Sequence, residues 1–92
     1  MTVVSAEDAD RRLARLPGWS IDAGELVNTF NFKDFRDALA FVNRVGEAAE
    51  SAGHHPDIDI RYNRVRLALV THDAGGLTEK DFDLASGVNS LL

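Results

Sequence analysis

The chain has 92 residues, of which 45% are hydrophobic and 27% charged, with a formal net charge of -5 and no cysteine. That length suits one domain, residues 1–92, which buries roughly 60 to 65% of the surface its unfolded chain exposes and so gains from association. The acidic balance argues against a nucleic-acid surface, which needs clustered Lys and Arg, and the lack of cysteine excludes disulfides, thiolate chemistry and Cys-ligated zinc. Residues 1–10 hold no basic region followed by an apolar run. No stretch approaches the roughly 18 apolar residues of a membrane span, so the expected place of action is the cytoplasm, with no membrane contact.

Ser5, ahead of Ala-Glu-Asp, predicts a helix N-cap with an acidic first turn, and that helix is expected to end before Pro17-Gly18. Residues 19–22 and 26–32 predict two short strands around Ala23-Gly24-Glu25, since Leu26, Asn28, Phe30 and Phe32 alternate with Val27, Thr29 and Asn31. Over residues 34–52, Phe35, Leu39, Val42, Val45 and Ala49 recur at helical spacing, the pattern of an amphipathic helix that Gly53 is placed to stop. Ile58, Ile60 and Tyr62 then alternate with Asp57, Asp59 and Arg61, and Val65, Leu67 and Leu69 with Arg66, Ala68 and Val70, which predicts two more strands. With Asn63-Arg64 as the hairpin turn, Tyr62 faces Val65, Ile60 faces Leu67 and Ile58 faces Leu69, and the same count sets His55 opposite His72. Tyr62 is then a core aromatic. Asp73-Ala74-Gly75-Gly76 reads as a loop, and Thr78-Glu79-Lys80-Asp81 as a capping box opening a last helix with Phe82, Ala85, Val88 and Leu92 along one side. The expected class is α+β: a four-stranded antiparallel sheet with helices on one face, in the order α-β-β-α-β-β-α. Association would cover its open edges.

The chain's three histidines, His54, His55 and His72, share one segment with Glu50, Pro56, Tyr62 and Asp81. Histidine alone among unmodified side chains titrates near neutral pH, so this frame is the candidate site. Bland roles exist for its members: Asp81 serves the capping box, and Glu50 is a solvated charge unless a cationic or proton-sharing partner lies near. Three histidines and a carboxylate are also a plausible zinc set. The spacing speaks against it, because neighbours in an extended pre-proline segment project to opposite faces, so no metal is expected. No serine sits in a Gly-x-Ser-x-Gly turn, and Gly75-Gly76 matches no phosphate-binding loop. Metal-free proton transfer by imidazoles remains.

The run Glu50-x3-His54-His55-Pro56-x5-Tyr62-x9-His72-x8-Asp81 resembles the signature of the pterin-4a-carbinolamine dehydratases. Leu16-Pro17-Gly18-Trp19, Phe30-Asn31-Phe32-Lys33-Asp34-Phe35, Tyr62-Asn63-Arg64-Val65 and the segment from Thr71 to Thr78 are similar to that family too. The resemblance implies a hydro-lyase that removes water from 4a-hydroxytetrahydropterin to give quinonoid dihydropterin, in tetrahydropterin recycling, with no cofactor. It implies that His54, His55 and His72 line the pterin pocket, with His54 and His72 transferring protons and His55 touching the ring. Glu50 and Asp81 would orient imidazoles, and His54, His55, Pro56, Thr71, His72, Asp73 and Ala74 would contact the substrate. A homodimer or homotetramer is implied. The chain departs from the family at Ile58, where a tryptophan is common, and isoleucine offers no ring to stack on a pterin. The alternative, also implied by similarity, is a non-catalytic binding module, either a dimerisation cofactor of a transcription factor or an assembly chaperone of a carboxylase.

Overall fold

A computed structural model describes residues 2–92. Ser5 caps α1 (Ala6–Leu13), its hydroxyl accepting the amide of Asp8 at 3.1 Å. Within α1 the Arg12 guanidinium, 3.0 Å from Asp8, holds that carboxyl below its ordinary range, and Arg12 also reaches Glu79 at 3.3 Å. The strands β1 (Ser20–Asp22) and β2 (Glu25–Asn31) meet at a tight turn in which Ala23 and Gly24 take φ of 51° and 79°. Positive φ at both central positions gives the twist that joins antiparallel strands without splaying them. Asp34 caps α2 (Phe35–Ala52), which is followed by β3 (Asp57–Arg61), β4 (Arg64–Leu69), a short 3-10 turn (His72–Ala74) and α3 (Glu79–Asn89).

The four strands form one antiparallel sheet in the order β1-β2-β4-β3. Leu26 and Phe30 of β2 and Val65, Leu67 and Leu69 of β4 turn one face into the core, where they meet Ala38, Phe41, Val45 and Ala49 of α2 and Phe82, Ala85 and Val88 of α3. Phe41 stacks at a tilt on Phe30 and Phe32, with ring centroids 4.8 and 5.0 Å apart. Trp19 packs edge-on to Phe30, and its indole N–H donates to Asn89 Oδ1 at 2.9 Å, tying the start of the sheet to the end of α3. The α+β class and the element order are as expected.

Four local expectations are overturned. The second hairpin turns at Tyr62-Asn63, so that Arg61 faces Arg64, Ile60 faces Val65 and Ile58 faces Leu67. Asn63 is held in the turn from outside the hairpin: its side-chain amide donates to Phe32 O at 2.9 Å and its own carbonyl accepts the Phe32 amide at 2.8 Å. A slip of two residues keeps every side chain on its face, which is why alternation alone could not detect it. His55 and His72 are consequently not opposite each other; both lie beyond the ends of the ladder. Tyr62 is no core residue either, since it sits at φ 52° in the turn and is 66% exposed. On α2 the buried stripe is Ala38, Phe41, Val45 and Ala49, while Phe35 and Leu39 are 46% and 40% exposed. Val45 and Ala49 are buried as expected, and the rings of Phe30 and Phe32 draw Phe41, rather than Phe35 and Leu39, into the core. Leu92, expected on the buried side of α3, lies past its end and is exposed.

Candidate active site

The site begins at the C-terminus of α2. Gly53 takes φ 63°, its amide donates to Glu50 O at 3.2 Å, and the amide of His54 donates to Ala49 O at 3.1 Å. Those two bonds are the 5→2 and 6→1 pair of a Schellman cap, which only a residue tolerant of left-handed backbone completes without strain. His54 therefore leaves the helix in a fixed direction. The chain from His54 to Pro56 has no regular structure before β3 starts at Asp57. This break lets the adjacent imidazoles of His54 and His55 serve one site, which strand geometry would forbid.

His54 turns inward and places Nε2 2.6 Å from Asp81 Oδ1. Asp81 is fully buried in the first turn of α3, and its other oxygen accepts the Thr71 hydroxyl at 2.8 Å and the Thr78 amide at 2.9 Å. The Thr78 amide bond is one arm of the expected capping box. The two roles weighed for Asp81, cap and imidazole partner, thus coexist, one oxygen serving each. With a carboxylate accepting at Nε2, the neutral His54 ring carries its proton there and leaves the Nδ1 lone pair free. No buried side-chain nitrogen or oxygen lacks a partner among the described residues, so Nδ1, which has no protein partner, is open to solvent.

His55 turns the other way, and its Nε2 makes a short contact with Glu50 Oε2, both side chains being well exposed. Glu50, disfavoured beside the negative end of the helix dipole, has an imidazole as its proton-sharing partner. His72 opens the 3-10 turn, exposed and with no hydrogen bond to its ring among the described residues.

A depression of about 300 Å³ brings together His54, His55, Thr71, His72 and Asp73. Pro56 and Ala74, expected at its walls, are not among the lining residues, and Glu50 and Asp81 stand behind the imidazoles. Ile58 lies along β3, outside the depression, and is 38% exposed. Lys80 contributes a wall that sequence reasoning missed. The signal was present, for the residue next to a capping-box carboxylate in contact with a histidine must also lie near it. His54 and Lys80 also border a second depression of about 470 Å³ between α2 and α3. Among the described residues no three His, Asp or Glu side chains group closely enough to hold a metal ion.

Fold and site define a small α+β protein in which two imidazoles backed by carboxylates and a third that is free face one shallow depression, an arrangement able to take up and release protons. Comparison with known proteins narrows the class. A family model described as pterin 4 alpha carbinolamine dehydratase matches residues 2–91. A provisionally named pterin-4-alpha-carbinolamine dehydratase of Acidobacterium capsulatum is 60% identical over 92 residues, covering all of both chains. One of the same provisional name from Chloroflexus aurantiacus is 55% identical over 92 residues, covering 100% of this chain and 99% of the other. The crystal structure of a transcriptional coactivator/pterin dehydratase from Brucella melitensis superposes with a TM-score of 0.93 at 33% identity, covering 98% of each chain. A pterin dehydratase-like RuBisCO assembly factor of the alpha-carboxysome shares the fold, with a TM-score of 0.64 at 23% identity over 79% of this chain and 84% of that one. The chain belongs to the pterin-4-alpha-carbinolamine dehydratase family.

Proposed function

We propose that the protein dehydrates 4a-hydroxytetrahydropterin to quinonoid dihydropterin by acid-base catalysis, without metal or cofactor. The observation that carries the reading is the convergence of His54, backed by buried Asp81, with His72 and His55 on one depression. The reaction breaks the C4a–O bond, with the oxygen leaving as water after it gains a proton and a ring nitrogen giving up its own. Both moves suit imidazoles, each contributing on the order of 10² to 10⁴ in rate. His54, whose Nδ1 is free to accept, and His72, whose ring no protein group claims, are the proton-transfer pair; His55 contacts the pterin ring. Thr71 and Asp73 belong to the surrounding wall in this reading. The cytoplasm is the proposed place of action; no helix is long and apolar enough to cross a membrane among the described residues.

The protein works as a homodimer or homotetramer in this proposal. Phe35 and Leu39 on α2 and Ile58 on the edge strand β3 expose apolar surface, and β3 leaves one side of its backbone unpaired. The same surface favours the second reading, a binding module without catalysis; one structural neighbour is described as a transcriptional coactivator as well as a pterin dehydratase. An assay separates the two. Purified protein should speed the dehydration of chemically generated 4a-hydroxytetrahydropterin well above the buffer rate, and His54→Ala and His72→Ala should each lower turnover at least about tenfold. A rate no higher than buffer alone would end the enzymatic reading.

A further inference from the structure

Among the described residues the buried polar and charged side chains, Thr71, Thr78 and Asp81, belong to one network. Thr71 has a single hydroxyl proton, and that proton goes to Asp81 Oδ2 at 2.8 Å. The bond of 2.8 Å between the hydroxyls of Thr71 and Thr78 must then have Thr78 as donor. Thr78 Oγ1 in turn accepts the amide of Lys80 at 3.3 Å. Every link therefore points one way, from the backbone at the start of α3 through Thr78 and Thr71 to Asp81, and bonds so aligned polarise one another. His54 meets the same carboxylate from the other side.

The main chain of Thr71 has a second task. Its carbonyl accepts the amides of Ala74 at 3.1 Å and Gly75 at 3.1 Å, and its amide donates to Gly76 O at 3.2 Å, closing the turn that begins with His72. One residue thus holds both imidazoles: His54 through its hydroxyl and Asp81, His72 through its backbone. With the hydroxyl committed inward, only the rest of Thr71 is left to the wall of the depression.

We propose that Thr71 is a positioning residue that fixes His54 in its Nε2-protonated tautomer through Asp81, in register with His72. Its catalytic half rests on the dehydratase reading; its structural half does not. Thr71→Val removes the hydroxyl and keeps the shape, leaving Asp81 with one donor fewer and Thr78 with no acceptor. The Asp81 side chain is then free to rotate between His54 and Thr78, and misplacement on that scale costs on the order of 10 to 100-fold in rate.

The test compares Thr71→Val and Thr71→Ala with Thr71→Ser by two readouts. In nitrogen-15 spectra of the histidine rings, wild type and Thr71→Ser should show neutral His54 as the Nε2-protonated tautomer alone, and the hydroxyl-free variants a mixture of tautomers. In kinetics the hydroxyl-free variants should lose at least about tenfold in kcat with KM within about twofold, and Thr71→Ser should restore kcat. A merely structural Thr71 would lower the folded fraction and leave tautomer and kcat per folded molecule unchanged, which overturns the proposal. So does failure of both hydroxyl-free variants to fold while Thr71→Ser folds. If wild type shows no dehydratase activity, the function proposed above falls, and the tautomer spectra still decide the role of Thr71.

Discussion

Exchanging Asp81 for Asn is the substitution whose consequences the structure fixes most closely. Three donors surround the carboxylate, His54 Nε2 at 2.6 Å, Thr71 Oγ1 at 2.8 Å and Thr78 N at 2.9 Å. An amide has one acceptor oxygen and one donor nitrogen. The oxygen will turn to the side with two donors, because the reverse setting points the NH₂ at a hydroxyl whose proton is committed and at a backbone amide. The NH₂ then faces His54, which must accept at Nε2 and carry its proton on Nδ1, so the nitrogen that was free to accept a proton in neutral His54 no longer is. A hydrogen bond to a buried charge is worth about 1.5 to 3 kcal/mol, offset in part because a neutral amide is easier to bury than a carboxylate. The net loss of stability should be about 1 to 2 kcal/mol. For a domain of this size that lowers Tm by about 4 to 16 °C. The loss in kcat should be larger in energy, on the order of 10² to 10⁴. Urea or thermal unfolding gives the first quantity and single-turnover kinetics well below the variant's Tm the second. A variant that is folded, retains kcat within about threefold and still protonates Nε2 would refute the tautomer argument.

Two other outcomes follow from features outside the site. Tyr62→Gly should raise stability by up to about 1 kcal/mol, because the φ of 52° at Tyr62 strains any residue with a Cβ by about 1 to 2 kcal/mol, a gain reduced by glycine's greater unfolded-state entropy; a lower urea midpoint for the variant would contradict this. Replacing both Phe35 and Leu39 with Lys should reduce the mass seen by light scattering to that of a monomer while the far-ultraviolet dichroism of the fold is kept, and equal masses for variant and wild type would remove this stripe from any interface.

Local chemistry was legible where a few neighbouring residues decide the outcome. Ser5, Gly53 and the pair Thr78 and Asp81 announce their caps because the groups they satisfy lie within one turn. The face of each strand of the second hairpin was legible for the same reason, whereas its register was not, since the clamp on Asn63 comes from Phe32, far away in sequence. The buried stripe of α2 depended on Phe30 and Phe32 of another element. At the site, the frame of Glu50, three histidines and Asp81 could be read directly. Which carboxylate serves which imidazole could not, because Glu50 lies four residues before His54 and yet reaches His55. His54 reaches inward to buried Asp81 of α3, far away in sequence, and leaves Glu50 to its neighbour.

Asp81 closes the first turn of α3 and steadies His54 with the same carboxylate. Any lineage that abandoned the chemistry would still lose a helix start by changing this residue, so folding alone suffices to preserve it. His72, Glu50 and His55 are exposed and support no core contact. Nothing in the fold would resist their drift once proton transfer ceased to matter. In a survey of related chains, the solvent-facing members of the frame are therefore the informative markers of a working enzyme, and Asp81, the most deeply anchored of them, the least.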